Sequence, residues 1–305
     1  MIHTQDLIKK RILITGANGM LGQRLIKFFM QQKYVEVFMT SLEEKSCFGY
    51  NNYIQVDLSK RNEVKKVVYD FYPDFIINTA AFTNVDACET QRELSWKVNV
   101  KSVEYLAETA RLIDAHLIHF SSDYVFDGKS GPYSEVDKPC PISYYGRTKL
   151  AGENIVKLIS PLNTIIRTNV LYGPALYGRP DFVKWVVTSL RENKQIRIVT
   201  DQINNPTFTD DIVQAVSKIT EYKRQGLYNI GGKEFLNRFD FTLRIADYFN
   251  LDKSLIEPIF TETLKQPAPR PLKSGLLNLK AETELGYKPH SIEDTFSIIK
   301  KELRL

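Results

Sequence analysis

The chain has 305 residues, with 41 Lys plus Arg against 36 Asp plus Glu, 43% hydrophobic and 25% charged. These figures exclude collagen-like, disordered and coiled-coil classes and leave room for a large core, in one large domain or two unequal ones. The net charge of +5 is spread without a basic run, which speaks against nucleic acid as a partner and is compatible with an anionic small molecule. Taken in chain order, Arg11–Thr15 reads as a buried strand, Leu21–Gln31 as a helix and Tyr34–Met39 as the next strand. Asn62–Tyr72 is predicted helical, Asp74–Asn78 a strand and Leu94–Ile113 one long helix. His116–Phe120 follows as a strand, then Ser143–Leu158 as a helix and Asn163–Arg167 as a strand. Apolar, β-branched strands separated by crossover-length helices imply a doubly wound α/β fold, a parallel sheet covered on both faces.

Beyond about residue 168 the rhythm changes. Tyr172-Gly173-Pro174 and Gly178-Arg179-Pro180 are loop signals, Phe182–Glu192 a helix and Ile196–Thr200 a strand. Gln266–Pro271, with three prolines, reads as a rigid extended segment. The expected division is a dinucleotide-binding domain over residues 1–168 and a smaller C-terminal α/β substrate lobe over 169–305. Parts of about 205–232, Phe208–Ser217 and Gly226–Ile230 among them, are expected to return to the large sheet. Cys47, Cys88 and Cys140 are distant from one another and odd in number, which argues against a disulfide framework or a zinc site. Reduced thiols, the absence of a long apolar window and a start without a signal peptide's apolar stretch make the cytoplasm the expected location, with no membrane contact.

The first strand runs into Thr15-Gly16-Ala17-Asn18-Gly19-Met20-Leu21-Gly22 and then a helix. Glycines at this spacing permit a tight turn, a close backbone approach to phosphate and tight packing of helix on strand, and the helix N-terminus offers free N–H groups to a pyrophosphate. The second strand ends Phe38-Met39-Thr40-Ser41 without an acid to read a ribose 2′-hydroxyl, and Glu43 and Glu44 read as solvated loop charges. NADPH is therefore favoured over NADH, which stays open.

Tyr145 and Lys149 lie four residues apart on a predicted helix and so share a face. An ammonium beside a phenol is expected to lower its pKa and bring proton transfer toward neutral pH. Ser121-Ser122-Asp123-Tyr124-Val125-Phe126-Asp127-Gly128 stands just past a predicted strand, where open α/β sheets place ligands, and a serine there can hold a carbonyl oxygen.

With these segments in hand, the sequence resembles the extended short-chain dehydrogenase/reductase family, and within it the dTDP-4-dehydrorhamnose reductase-like group. The likeness is carried by Ile14–Gly22, Asn78–Asp86, Ser121–Gly128 and Tyr145–Glu153, and extends through Arg167–Gly173, Asn205–Thr207 and Pro269–Pro271. It implies a Rossmann fold and roles residue by residue. Gly16, Asn18, Gly19, Met20, Leu21 and Gly22 would surround the cofactor pyrophosphate. Asp57 and Leu58 would meet adenine, and Ala80 and Ala81 the nicotinamide side, with Asn99 the family's structural asparagine beside the cofactor. Ser122, Tyr145 and Lys149 would be the catalytic triad, Tyr145 and Lys149 also touching the cofactor. Asp123, Tyr124 and Asn169 would face the sugar and Arg270 the diphosphate; no metal ligands are assigned.

One departure stands out. Where rhamnose-pathway members often carry a tryptophan, this chain reads Thr168-Asn169-Val170, which removes a large stacking surface and weakens assignment to one particular sugar. The leading expectation is NADPH-dependent reduction of the 4-keto group of a nucleotide-diphosphate sugar, in a chain compatible with a homodimer. Two alternatives are a nucleotide-sugar epimerase or dehydratase, and a non-catalytic regulatory subunit similar to the beta subunit of methionine adenosyltransferase.

Overall fold

A computed structural model describes residues 9–303. The strands are β1 (Lys10–Thr15), β2 (Val35–Ser41), β3 (Tyr53–Gln55), β4 (Phe75–Asn78), β5 (His116–Ser122), β6 (Thr164–Thr168), β7 (Leu171–Tyr172), β8 (Ile196–Val199), β9 (Ile203–Asn204), β10 (Thr207–Phe208), β11 (Gly226–Asn229), β12 (Leu236–Asn237) and β13 (Ile256–Ile259). The helices are α1 (Met20–Phe29), α2 (Arg61–Phe71), α3 (Val85–Thr90), α4 (Arg92–Trp96), α5 (Ser102–Leu112), α6 (Tyr144–Ile159), α7 (Phe182–Arg191), α8 (Thr209–Tyr222), α9 (Arg238–Tyr248), α10 (Leu279–Leu285) and α11 (Ile292–Leu303).

Seven strands form one parallel sheet in the order β11-β6-β5-β4-β1-β2-β3. Strands such as Phe75–Asn78 and Thr164–Thr168 are buried along their whole length, as a sheet covered on both faces requires. One face packs on α1, α8 and α10 through Leu21, Leu25, Ile212, Val216 and Leu285. The other packs on α2, α5 and α6 through Val64, Val68, Leu106 and Val156. The strand order reverses between β1 and β4, so the crevice at their C-terminal ends is where a sheet of this kind places its ligand. Among the described residues no helix is long and apolar enough to cross a membrane.

Gly226–Asn229 joins the sheet beside β6. Phe208–Ser217 does not supply a sheet strand. It lies mostly in α8, which covers the sheet next to α1, because its apolar residues Ile212, Val216 and Ile219 repeat at helical spacing. A separate core under the C-terminal lobe gathers α7, α9, α11 and β8. On α7 the buried stripe Val183, Val186, Val187 and Leu190 has the i, i+3, i+4, i+7 pattern, each residue contributing about 1.5–3 kcal/mol as an upper estimate.

The predicted helix Leu94–Ile113 is not continuous. A π-helical turn over Lys97–Lys101 separates α4 from α5. It carries Asn99, whose amide accepts from Phe82 N at 2.8 Å and donates to Phe82 O at 3.1 Å and to Thr148 Oγ1 at 3.1 Å. The turn thereby ties the loop after β4 to α6.

Candidate active site

β1 delivers the glycine loop to the mouth of the crevice. A Cβ on Gly22 would fall 2.3 Å from Gly16 O, so helix and loop approach this closely only with glycine there. Gly19 caps α1 without a side chain, and the first turn of the helix holds no acid. Its N–H groups are thus left for a ligand, and Gly19, Met20, Leu21 and Gly22 line a cavity of about 600 Å³. Thr79, Ala80 and Ala81 after β4 line the same cavity. The residues present therefore fit a dinucleotide diphosphate.

β5 ends in Ser121 and Ser122, and α6 begins opposite it. Ser143 caps α6 by accepting from Gly146 N at 3.2 Å. A Cβ on Gly146 would lie 2.1 Å from Tyr124 O. That close approach sets the first turn of α6 against the end of β5 and brings Tyr145 to Ser122. Ser122, Asp123, Tyr124, Tyr145 and Lys149 all line the cavity, and the ring of Tyr124 meets that of Tyr145 edge-on at 5.5 Å.

The electrostatics differ from the sequence expectation. Lys149 Nζ donates to Phe120 O at 2.7 Å, and burial brings its pKa down to about 8, against the pull of Glu153 and Cys88. The Tyr145 phenol is not made more acidic. Burial raises its pKa and the Asp123 carboxylate raises it further, against a hydrogen bond with Ser122. Removal from water sets the direction in this enclosed site, and the ammonium of Lys149 is turned to Phe120 O. Asp123 is itself pushed up to about 6 by burial, opposed by hydrogen bonds from Ser274 Oγ at 2.5 Å and Ser122 Oγ at 2.9 Å.

A second cavity of ≈ 450 Å³ adjoins the first. The two share Thr83, Val85, Tyr124, Arg179, Phe182 and Arg238 in their walls. Beyond that junction the second cavity is lined by Trp185, Ile198, Gln202 and Gln266. Among the described residues neither Arg179 nor Arg238 has an acidic partner in an ion pair, and Arg238 lies over the Phe182 ring at 5.2 Å. The two guanidinium groups thus line the junction without an ion-pair partner, the Asp123 carboxylate lying near enough to Arg238 to act on it, and an anion entering there would meet both.

Several predicted residues stand elsewhere. Asn18 does not line the cavity: its side chain donates to Lys45 O at 2.9 Å and Glu43 Oε2 at 3.3 Å and accepts from Cys47 N at 2.9 Å. Glu43, read as a loose loop charge, also accepts from Ser41 Oγ at 2.5 Å, so a carboxylate stands at the end of β2 beside the glycine loop. Asp57 accepts from Ser59 N and Oγ and lines a separate cavity near the β3 edge, while Leu58 is in the core under α2. Asn99 is buried outside the cavity in its anchoring role. Asn169 lines the cavity, but its amide is engaged by Asn205 at 2.8 Å and Thr207 at 2.9 Å. Arg270 reaches the second cavity but is paired with Asp86 at 2.8 Å, so it is a compensated charge. Sequence reasoning missed Arg179 and Arg238; the first sits inside what reads only as a turn, and the second follows an unremarkable Leu-Asn pair.

The fold, the glycine-capped helix and the Ser-Tyr-Lys grouping define a class, the extended short-chain dehydrogenases/reductases. The chain belongs to the family described as RmlD substrate binding domain, whose model matches residues 10–304. It is 33% identical over 291 residues to a dTDP-4-dehydrorhamnose reductase of Aggregatibacter actinomycetemcomitans, covering 92% of this chain and 94% of the relative. A dTDP-4-dehydrorhamnose reductase of Bacillus anthracis, solved in complex with NADP, superposes with a TM-score of 0.86 at 30% identity, covering 97% of this chain and all of that one. The beta subunit of methionine adenosyltransferase 2 of Xenopus tropicalis is 34% identical over 268 residues, 86% of this chain and 78% of the relative.

Proposed function

We propose that this NAD(P)H-dependent oxidoreductase reduces the 4-keto group of a nucleotide-linked 6-deoxysugar, the reaction class of dTDP-4-dehydrorhamnose reductases. NADPH is the proposed cofactor, and NADH is also accepted, because the Glu43 carboxylate favours a ribose hydroxyl over a phosphate. The observation that carries the reading is the pair of arginines without an ion-pair partner among the described residues, Arg179 and Arg238, where the cavity holding Tyr145 opens into a second one walled by Phe182 and Trp185. A sugar diphosphate laid across that junction meets positive charge at its diphosphate, with the sugar toward Tyr145 and the nucleoside beyond.

When bound, the reduced nicotinamide supplies a hydride to the keto carbon. The first turn of α1 would hold the diphosphate, Ala80 and Ala81 would border the nicotinamide half, and Lys149 would hold its ribose. Ser122 turns its hydroxyl from Asp123 to the keto oxygen and polarises it. Tyr145 gives its phenolic proton to the same oxygen. Its high pKa suits a group that must stay protonated until negative charge develops on the substrate. Lys149 then stabilises the phenolate left behind. Walls formed by Tyr124 and Phe182 restrict water around the reacting carbonyl.

The test is consumption of reduced dinucleotide by the purified protein with a panel of nucleotide 4-keto sugars. Turnover with at least one, lost in Tyr145→Phe, supports the reading. The 34% identity to a methionine adenosyltransferase beta subunit favours a second one, a regulatory subunit that holds dinucleotide without turnover. No turnover with any sugar, together with stoichiometric recovery of a partner enzyme, would replace the first reading with the second.

A further inference from the structure

Between β7 and α7, residues 173–181 form an irregular strap over the crevice. Its base is closed by Gly173 N, which donates to Asp181 Oδ2 at 2.6 Å, while Asp181 Oδ1 caps α7 by accepting from Lys184 N at 2.7 Å. Its tip is exposed, Leu176 at 77% and Tyr177 at 52%. Among the described residues, the hydrogen bonds that residues 174–180 make to the rest of the chain all go to one side chain, Gln23.

Gln23 is on α1, only 2% exposed. Its Oε1 accepts from Leu176 N at 2.8 Å and Tyr177 N at 3.3 Å, and its Nε2 donates to Tyr177 O at 2.9 Å and Asn18 O at 2.7 Å. Both amide protons and both carbonyl lone pairs are used. The fourth bond is the informative one, because Asn18 belongs to the glycine loop and immediately precedes the residue that caps α1. One buried amide therefore joins the dinucleotide cradle to the strap that carries Arg179 into both cavities.

We propose that Gln23 is a positioning residue that couples seating of the dinucleotide on the glycine loop to the set of the strap, and so to the affinity for a nucleoside diphosphate group. This rests on the reading of the two cavities given under Proposed function. A dinucleotide that fixes the Asn18 carbonyl holds Gln23 in place. Gln23 then holds Leu176 and Tyr177, and Arg179 two residues on is presented to the diphosphate. A shared, fully satisfied node allows each ligand to favour the same arrangement, which is the thermodynamic content of coupling.

The experiment uses the full chain, with NADP and thymidine diphosphate as non-reacting probes. In the wild type, saturating NADP is expected to tighten thymidine diphosphate binding roughly fivefold or more, and to slow chymotryptic cleavage after Tyr177. In Gln23→Met, of similar length but without hydrogen bonds, the coupling is expected to fall below about twofold and the protection by NADP to vanish, with the melting transition still cooperative. Gln23→Glu keeps the acceptor for Leu176 N and Tyr177 N, two of the three bonds to the strap, but loses the donors to Tyr177 O and to Asn18 O. It is expected to keep a protected strap and lose the coupling, which a merely structural role for Gln23 would not produce. Coupling retained in either variant, or absent in the wild type while both probes bind, overturns the proposal. If NADP protects the strap in a Gln23-dependent way but no nucleoside diphosphate binds, the nucleotide-sugar reading fails and the link between loop and strap stands. If NADP itself does not bind, both fall.

Discussion

The two walls of the crevice are held by different means. The wall made by the sheet ends, with the glycine loop, Ser122 and the start of α6, is positioned by backbone: parallel strand pairing, a glycine-capped helix and the contact of Gly146 with Tyr124 O. The facing wall, with Arg179, Phe182, Arg238 and Arg270, hangs on side-chain bonds between distant segments, such as Gln23 to the strap and Arg270 to Asp86. On the proposed function the first wall would carry the chemistry, which tolerates little displacement. The second would carry recognition, where loops can change without disturbing the reacting groups. Substitutions on the first wall should act on kcat, and substitutions on the second on KM.

The largest expected effect is on the first wall. Tyr145→Phe removes the proton donor without altering packing, and kcat should fall by about 10²–10⁴-fold while dinucleotide affinity, measured by fluorescence titration, stays within about twofold. Arg238→Ala tests the second wall. Losing a charged hydrogen bond to diphosphate costs about 1.5–3 kcal/mol, so KM for the nucleotide sugar should rise about 10–150-fold with kcat much less affected. A fall in kcat alone would break the division between the walls.

Lys149 sharpens the comparison through pH. Burial lowers its pKa to about 8, so its ammonium is present at neutral pH and is lost as pH rises through that value. In the free enzyme kcat/KM should therefore decline above pH 8, approaching tenfold per pH unit. Asp123 acts on the phenol in the opposite sense, since its carboxylate helps to raise the Tyr145 pKa. In Asp123→Asn, the Tyr145 ring followed by carbon NMR should titrate at lower pH than in the wild type, while the alkaline decline in kcat/KM persists.

The same contrast governs what was legible in the sequence. The doubly wound sheet could be read because its strands are continuous apolar runs and its helices repeat at 3.6 residues, as in Phe75–Asn78 and Arg61–Phe71. Ser122, Tyr145 and Lys149 could be placed in one cavity because a strand end and one helical turn fix them locally. Arg179 and Arg238 could not, since 59 residues' separation gives no local signal and their shared site exists only after the C-terminal lobe has packed. The π-helical turn at Asn99 was hidden for a related reason: its side chain satisfies the backbone of Phe82, a contact 17 residues away. The direction of the Tyr145 shift was also out of reach, because charge spacing is visible along the chain but the degree of burial is not.

The smallest expected effect lies at the far end of the first wall. Thr40 and Ser41 end β2 with hydroxyls and no acid, yet the Glu43 carboxylate is bonded to Ser41 and Asn18 beside the glycine loop. A negative charge there repels the phosphate of NADPH and can accept from the ribose hydroxyl of NADH. Glu43 is on the solvent side, so water and salt screen the repulsion and its consequence is modest. Glu43→Gln keeps an acceptor for Ser41 while removing the charge. Binding of NADPH to this variant should tighten by about two- to fivefold and that of NADH should hardly change, measured by titration at low ionic strength. The gain should shrink as salt is added, since a surface charge acts only within about 10 Å at 0.1 M salt. Equal changes for the two dinucleotides would mean that Glu43 shapes the loop rather than reading the ribose.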